Sequence, residues 1–190
     1  ASQYALISYF IAVPRDRLPL RFSYAHLLCD LFATTTKVTT FQSTFYDCQN
    51  LTGSIPENLF ANTTNVTRID DTFDMCINLT GEIPANLFSA TTKVWTFNTT
   101  FYGCKGLTGT IPATLFASTP NVTTFLGTFG NCSNLTGEIP ATLFNVNTKV
   151  SDFDSTFENC AGLTGVIPIS LFASNTKATS FDKTFAGCTG

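Results

Sequence analysis

Apolar residues in this chain recur every 28 positions, a period far longer than the two of a strand or the 3.6 of a helix. Leu-Phe pairs fall at 31–32, 59–60, 87–88, 115–116, 143–144 and 171–172, and Thr-Phe pairs at 44–45, 72–73, 100–101, 128–129, 156–157 and 184–185. Between them run two more columns: Val38, Val66, Val94, Val122, Val150 and Ala178, then Phe41, Ile69, Phe97, Phe125, Phe153 and Phe181. The phrase Leu107-Thr-Gly-Thr-Ile-Pro112 recurs at Leu51–Pro56, Leu79–Pro84, Leu135–Pro140 and Leu163–Pro168. Each repeat therefore points Val, Phe, Phe, Cys, Leu, Ile, Leu and Phe to one side. A single repeat cannot bury that set, whereas a stack of repeats buries it continuously. The pattern predicts a β-rich solenoid, a right-handed coil of 28-residue repeats with a parallel sheet and few or short helices.

Within a repeat, segments such as Lys37–Phe41 and Asn121–Phe125 are rich in β-branched and aromatic residues and are expected to form the main sheet. Residues 53–56 and their equivalents are expected to add a second, shorter strand. The Gly of Leu-Thr-Gly suits a tight corner, because Gly takes positive φ freely. The Pro that follows lacks a backbone donor and suits the end of a ladder. The Pro-x-x-Leu-Phe stretch, as in Pro112–Phe116, has room for one helical or 3₁₀ turn.

Residues 1–30 depart from the register. Tyr4–Val13 is an apolar run closed by Pro14, shorter than the about 20 residues a membrane helix needs. It fits the core of a signal peptide, although no basic residue precedes it. It also fits a degenerate first rung, with Phe10 under Val38, Val13 under Phe41, Leu20 under Cys48, Leu27 under Ile55, and Arg17 interrupting the pattern. The capping reading is preferred, since terminal repeats are atypical. The chain then divides into a capping segment, 1–30, and a repeat solenoid, 31–190. The solenoid is expected to be open or truncated at Cys188-Thr189-Gly190, where the next Leu-Thr-Gly would begin.

Six of the seven cysteines, Cys48, Cys76, Cys104, Cys132, Cys160 and Cys188, form one column. Stacked strands hold neighbours about 4.8 Å apart, whereas disulfide-bonded Cβ atoms sit about 3.8 Å apart. The column is read as a structural core ladder of buried thiols. Cys29 stands outside the register. No C-x-x-C pair occurs and His26 is the only histidine, so no metal site is expected. Asp70, Asp71, Asp152 and Asp154 are read as solvated carboxylates rather than a calcium site.

Composition narrows the function. The chain is 44% apolar and only 12% charged, with a net charge of −3 and no basic run, which argues against a nucleic-acid partner. Roughly a sixth of the residues are Thr, and a Thr/Asn/Ser surface in place of Lys and Glu suggests a secreted or cell-surface protein. No catalytic constellation is found, so neither an enzyme nor a cofactor is expected. Asn-x-Ser/Thr occurs at Asn50, Asn62, Asn65, Asn78, Asn98, Asn121, Asn131 and Asn134, a pattern the repeat itself generates.

The run Thr100-Phe101-Tyr-Gly-Cys104-Lys-Gly-Leu107-Thr-Gly-Thr-Ile111-Pro112 resembles the BspA-like (Treponema-type) leucine-rich repeat, over about 160 of the 190 residues. It has one residue fewer between Leu and Pro, and about five more between Leu-Phe and Val. The resemblance implies a leucine-rich-repeat-like coil on an exported surface protein that adheres to host protein, glycan or another cell.

Solenoids bind through exposed positions that vary from rung to rung. The column Thr39, Thr67, Trp95, Thr123, Ser151, Thr179 holds the one Trp, with Arg68 and Thr96 beside it, while Tyr46 and Tyr102 share another column. Arg68, Trp95, Thr96, Tyr46 and Tyr102 are the candidate binding surface, since Trp, Tyr and Arg are the usual interface anchors. The leading expectation is a non-enzymatic recognition module. The alternative is a structural subunit of an extracellular head-to-tail filament, self-associating through the open C-terminal rung.

Overall fold

The computed structural model describes residue 32 and residues 34–190. The expected N-terminal cap, His26 and Cys29 lie outside the described residues. Successive repeats, here called rungs and counted from Phe32, lie side by side and pair in parallel. Thr40 pairs with Arg68, Arg68 with Thr96, Thr96 with Thr124, Thr124 with Asp152, and Asp152 with Ser180. A second line of pairs joins Gly53 to Leu79, Gly81 to Leu107 and Gly137 to Leu163. Every partner is one repeat away, or nearly so, and the stack follows from that register.

The expected main sheet is narrower than the sequence suggests. Each rung contributes an isolated bridge at these positions rather than a strand, and no helix occurs among the described residues. The reason lies in the backbone just past the bridge. Ser43 and Asp47 have φ of 53° and 55°, and the equivalents Asp71 and Met75, and Thr99 and Gly103, are likewise left-handed. These residues turn the chain every few positions and end the pleat. The backbone remains satisfied by a strict alternation. Phe41, Ser43, Phe45 and Asp47 donate to carbonyls of the next rung, Arg68, Asp70, Thr72 and Asp74, at 2.8–3.0 Å. Thr44, Tyr46 and Cys48 donate back within their own rung to Phe41, Ser43 and Phe45. The Pro-x-x-Leu-Phe stretch forms separate turns, with Leu59, Ala61 and Thr63 donating to Pro56, Asn58 and Phe60, in place of a continuous helical turn.

The core is three parallel stacks of rings. Phe73, Phe101, Phe129 and Phe157 lie 5.6–5.8 Å apart between centroids and within 8° of parallel. Phe88 stacks on Phe116 in a second column, and Phe97 on Phe125 in a third. Between columns the rings tilt, as for Phe88 and Phe97 at 4.7 Å and 58°. Such offset and tilted pairs add about 0.5–1.5 kcal/mol each beyond area burial.

Polar side chains tie the rungs together inside the core. The buried hydroxyl of Thr100 lies 2.9 Å from the carbonyl of Phe97 and 3.1 Å from that of Ile69 one rung back. Thr72, Thr128, Thr156 and Thr184 repeat this reach. Earlier in the rung Thr63, Thr91 and Thr119 donate to their own rung, but Asn147 and Asn175 take over the column and donate back to Thr119 and Asn147.

Candidate binding surface

Lys93, Val94 and Trp95 alternate out, in, out, as a short extended segment requires. Trp95 is 42% exposed. Its N–H donates to Thr67 and its carbonyl accepts from Thr123, so the indole is carried on a backbone held from both sides. Arg68, one rung earlier, places its guanidinium 5.5 Å from the indole centroid. Asp70 fixes that guanidinium by two bonds, Nε to Oδ1 at 3.0 Å and Nη2 to Oδ2 at 2.7 Å. A bidentate carboxylate of this kind sets the plane as well as the position of the arginine. The three residues therefore form one preorganised unit on the surface.

The other proposed anchors fall differently. Thr96 is 1% exposed and does not belong to the surface. It pairs with Arg68 on one side and Thr124 on the other, and its hydroxyl accepts the N–H of Asn98 instead of facing solvent. Tyr46 is 55% exposed, but Tyr102 is half-buried. The Tyr102 ring covers Gly130 so closely that a Cβ there would lie 2.7 Å from it. Both tyrosines sit between the two left-handed residues that follow the bridge of their rung, on a segment separate from Trp95. The structure brings Arg68 to Trp95 and does not bring the tyrosines to either.

Between the two tyrosines in the column stands Asp74. Its Oδ1 is buried without a hydrogen-bond partner. Burial, and then the neighbouring charges of Asp71 and Asp47, push its carboxyl up to about 6. Several other carboxylates accept hydrogen bonds. Asp71 accepts from Ser43 and Thr99, and Asp154 accepts from Ser180 Oγ and the Asp182 N–H. Among the described residues no cluster of three or more His, Cys, Asp or Glu is arranged to hold a metal ion.

The cysteines form a buried line. Cys76, Cys104, Cys132, Cys160 and Cys188 each donate to the carbonyl of a Phe one rung back, at 2.9–3.0 Å. All six described cysteines are free thiols. Burial pushes the thiols of Cys104, Cys132 and Cys188 up, and that of Cys160 to about 12.

Reasoning along the chain missed one feature of the surface. Lys37, Lys93, Lys149 and Lys177 occupy a single column, alternating with Asn65 and Asn121 before the last pair. All four lysines are exposed. The signal was the 28-residue spacing itself, hidden because no two of them are near in sequence.

The stack and this surface define a repeat protein: a regular core of identical columns with a variable outer face. The chain belongs to the family described as "Mycoplasma protein of unknown function, DUF285", which matches residues 32–114 and 90–190. That membership agrees, at a coarse level, with the BspA-like repeat read from the sequence. Among solved structures, the plant peptide hormone receptor RGFR1 in complex with RGF2 is 19% identical, with a TM-score of 0.30 over 76% of this chain. The match spans 30% of that receptor's length. No curated protein matches the chain. No helix among the described residues is long and apolar enough to cross a membrane.

Proposed function

We propose that this chain is a non-enzymatic recognition module of a secreted or cell-surface protein, built as a leucine-rich-repeat-like solenoid that binds a protein or glycan on another cell or matrix. A right-handed coil is the hand that parallel connections favour. The observation that carries the reading is the contrast between columns. Buried positions repeat almost without change, while the outward column runs Thr39, Thr67, Trp95, Thr123, Ser151, Thr179, with the Arg68–Trp95 unit at one place in it. Catalysis is disfavoured by the state of the candidate nucleophiles. The buried Thr hydroxyls and Cys thiols donate to backbone carbonyls, and a thiol pushed up by burial is the opposite of an activated one. The test is binding of the purified chain to cells and matrix proteins, alongside Arg68→Ala/Trp95→Ala. Binding at micromolar concentration that weakens at least about tenfold in the variant supports the reading. No binding to any cell or matrix at that concentration sinks it.

A second reading, self-association, has its own support. Val166 and Ile169 stand in columns otherwise held by Ser54, Glu82, Thr110 and Glu138, and by Glu57, Ala85, Ala113 and Ala141. Both are exposed, 82% and 104% open. A second copy seated there buries both side chains and gives self-association. Light scattering over a wide concentration range, with Val166→Glu/Ile169→Glu as control, tests it. A wild type that stays monomeric throughout rules it out.

A further inference from the structure

The lysine column is set in a face with no opposing charge. Across positions 32–39 and their five repeats there is not one Asp or Glu. The described carboxylates gather instead on positions 40–47 and their equivalents, as Asp47, Asp70, Asp71, Asp74, Asp152, Asp154, Glu158 and Asp182, with the remainder at Glu57, Glu82 and Glu138. The protein is acidic overall, yet four of its cations are lined up on one side of the buried Val column. None of the four is neutralised, because the one ion pair among the described residues joins Arg68 to Asp70. Two are held in place by uncharged partners: Lys93 Nζ donates to Asn65 Oδ1 and Lys149 Nζ to Asn121 Oδ1, each at 2.7 Å. The asparagines are themselves anchored, their Nδ2 groups donating to the carbonyls of Thr36 and Thr92. Two of the four ammonium groups are thus preorganised, and none of the four is paired with a carboxylate.

Spacing and surroundings select the partner. Rungs paired in parallel repeat about every 4.8 Å, so Lys37, Lys93 and Lys149, on alternate rungs, recur roughly every 10 Å. A net charge of −3 disfavours a polyanion as dense as a nucleic acid, whose strands carry one phosphate about every 3.4 Å. A folded protein partner buries about 800 Å² per side around an apolar centre, and among the described residues this face exposes only Trp95 and Val146 as large apolar groups. What the face does offer is a line of ammonium groups flanked by Thr hydroxyls and Asn amides, with one exposed indole two residues from Lys93. That is the chemistry of a sugar chain: an aromatic plane for a ring face, hydroxyls and amides for its oxygens, and cations at intervals. We propose that the Lys37–Lys93–Lys149–Lys177 row binds a linear acidic polysaccharide carrying a carboxylate on every second sugar. The inference rests on the recognition reading above and names its ligand class.

The test is titration of the purified chain with size-defined hyaluronan, with neutral dextran, poly-aspartate and duplex DNA as competitors, at two salt concentrations. Hyaluronan should bind and dextran should not, and affinity should fall as salt rises, as screening requires. Lys93→Gln/Lys149→Gln should weaken binding at least about tenfold, and Lys93→Arg/Lys149→Arg should restore it. Lys105→Gln, off the row, should leave it unchanged. Equal weakening by Lys105→Gln, equal or tighter binding to poly-aspartate or DNA, or no binding of hyaluronan overturns the inference. A wild type that binds cells but not hyaluronan overturns it while leaving the recognition reading intact. Loss of all cell binding by the wild type overturns both.

Discussion

The thiol of Cys104 donates to the carbonyl oxygen of Phe73, 3.0 Å away and one rung back. The same carbonyl accepts the N–H of Cys76 from its own rung. One oxygen thereby closes a turn and ties that turn to the next, and the arrangement repeats down the stack. Small, polarisable and fully buried, cysteine is the residue that donates here without a cavity or a desolvated hydroxyl.

High pH should therefore unfold the protein by titrating the unfolded state. Thiols in the unfolded chain ionise near pH 8.5, whereas in the fold burial raises those of Cys104, Cys132, Cys160 and Cys188, Cys160 to about 12. The stabilisation is fully present below pH 8.5 and is lost as pH rises toward the folded value, at about 1.4 kcal/mol per pH unit for each retained proton. Urea midpoints measured from pH 8 to 11 should fall steadily. Alkylation at pH 8 should modify Cys188 well before Cys104 or Cys132. Uniform labelling of all cysteines in folded protein would contradict the buried ladder.

Asp74 gives the converse test in the acid range. Its folded value, about 6, lies above that of an unfolded Asp, so its contribution is present below about pH 4 and lost as pH rises through 6. Asp74→Asn should stabilise the protein at pH 7 by about 1–2 kcal/mol after allowance for solvent screening. The gap should close by pH 4. A gap independent of pH would mean that the carboxylate is not strained by its neighbours.

Met75 occupies a left-handed position, φ 59°, in a column whose other members are Asp47, Gly103, Asn131, Asn159 and Gly187. A long side chain there carries a cost of about 1 kcal/mol that Asn largely avoids. Met75→Asn should raise the thermal midpoint, and a clear loss would show that the Met75 contact over Gly103 outweighs backbone strain.

Position in the stack should set the cost of losing a ring. Phe101 is fully buried between Phe73 and Phe129, so Phe101→Ala should cost about 3–5 kcal/mol. Phe181, 44% exposed and stacked on Phe153 alone in its column, should cost less than half as much. Equal losses by chemical denaturation would mean that ring stacking does not carry the core.

Gly106 packs against the preceding rung so tightly that a Cβ would lie 2.5 Å from the Leu79 carbonyl oxygen. Backbone cannot yield there as a side chain can. Gly106→Ala should destabilise by about 1–3 kcal/mol, measured by the same denaturation series.

Where sequence reasoning went astray, it was at residues whose conformation depends on the next rung. Lys37–Phe41 looked like a strand because Val, Thr and Phe favour one, yet the left-handed residues at 43 and 47 limit it to a bridge. Ser43, Asp71, Thr99 and Lys183 gave little warning in their column, although Gly127 among them did. Its column puts Thr96 next to the exposed Trp95, but cross-rung pairing with Arg68 and Thr124 buries it.

The sequence by itself determined the period, the composition of each column and hence the core, because a side chain buried in one rung is buried in every rung of the same register. The tertiary structure decided how the backbone turns between columns and which polar groups meet. Those outcomes rest on hydrogen bonds and charges between residues 28 apart, such as Arg68 over Trp95 and Lys93 on Asn65, which become neighbours only when one turn is laid against another.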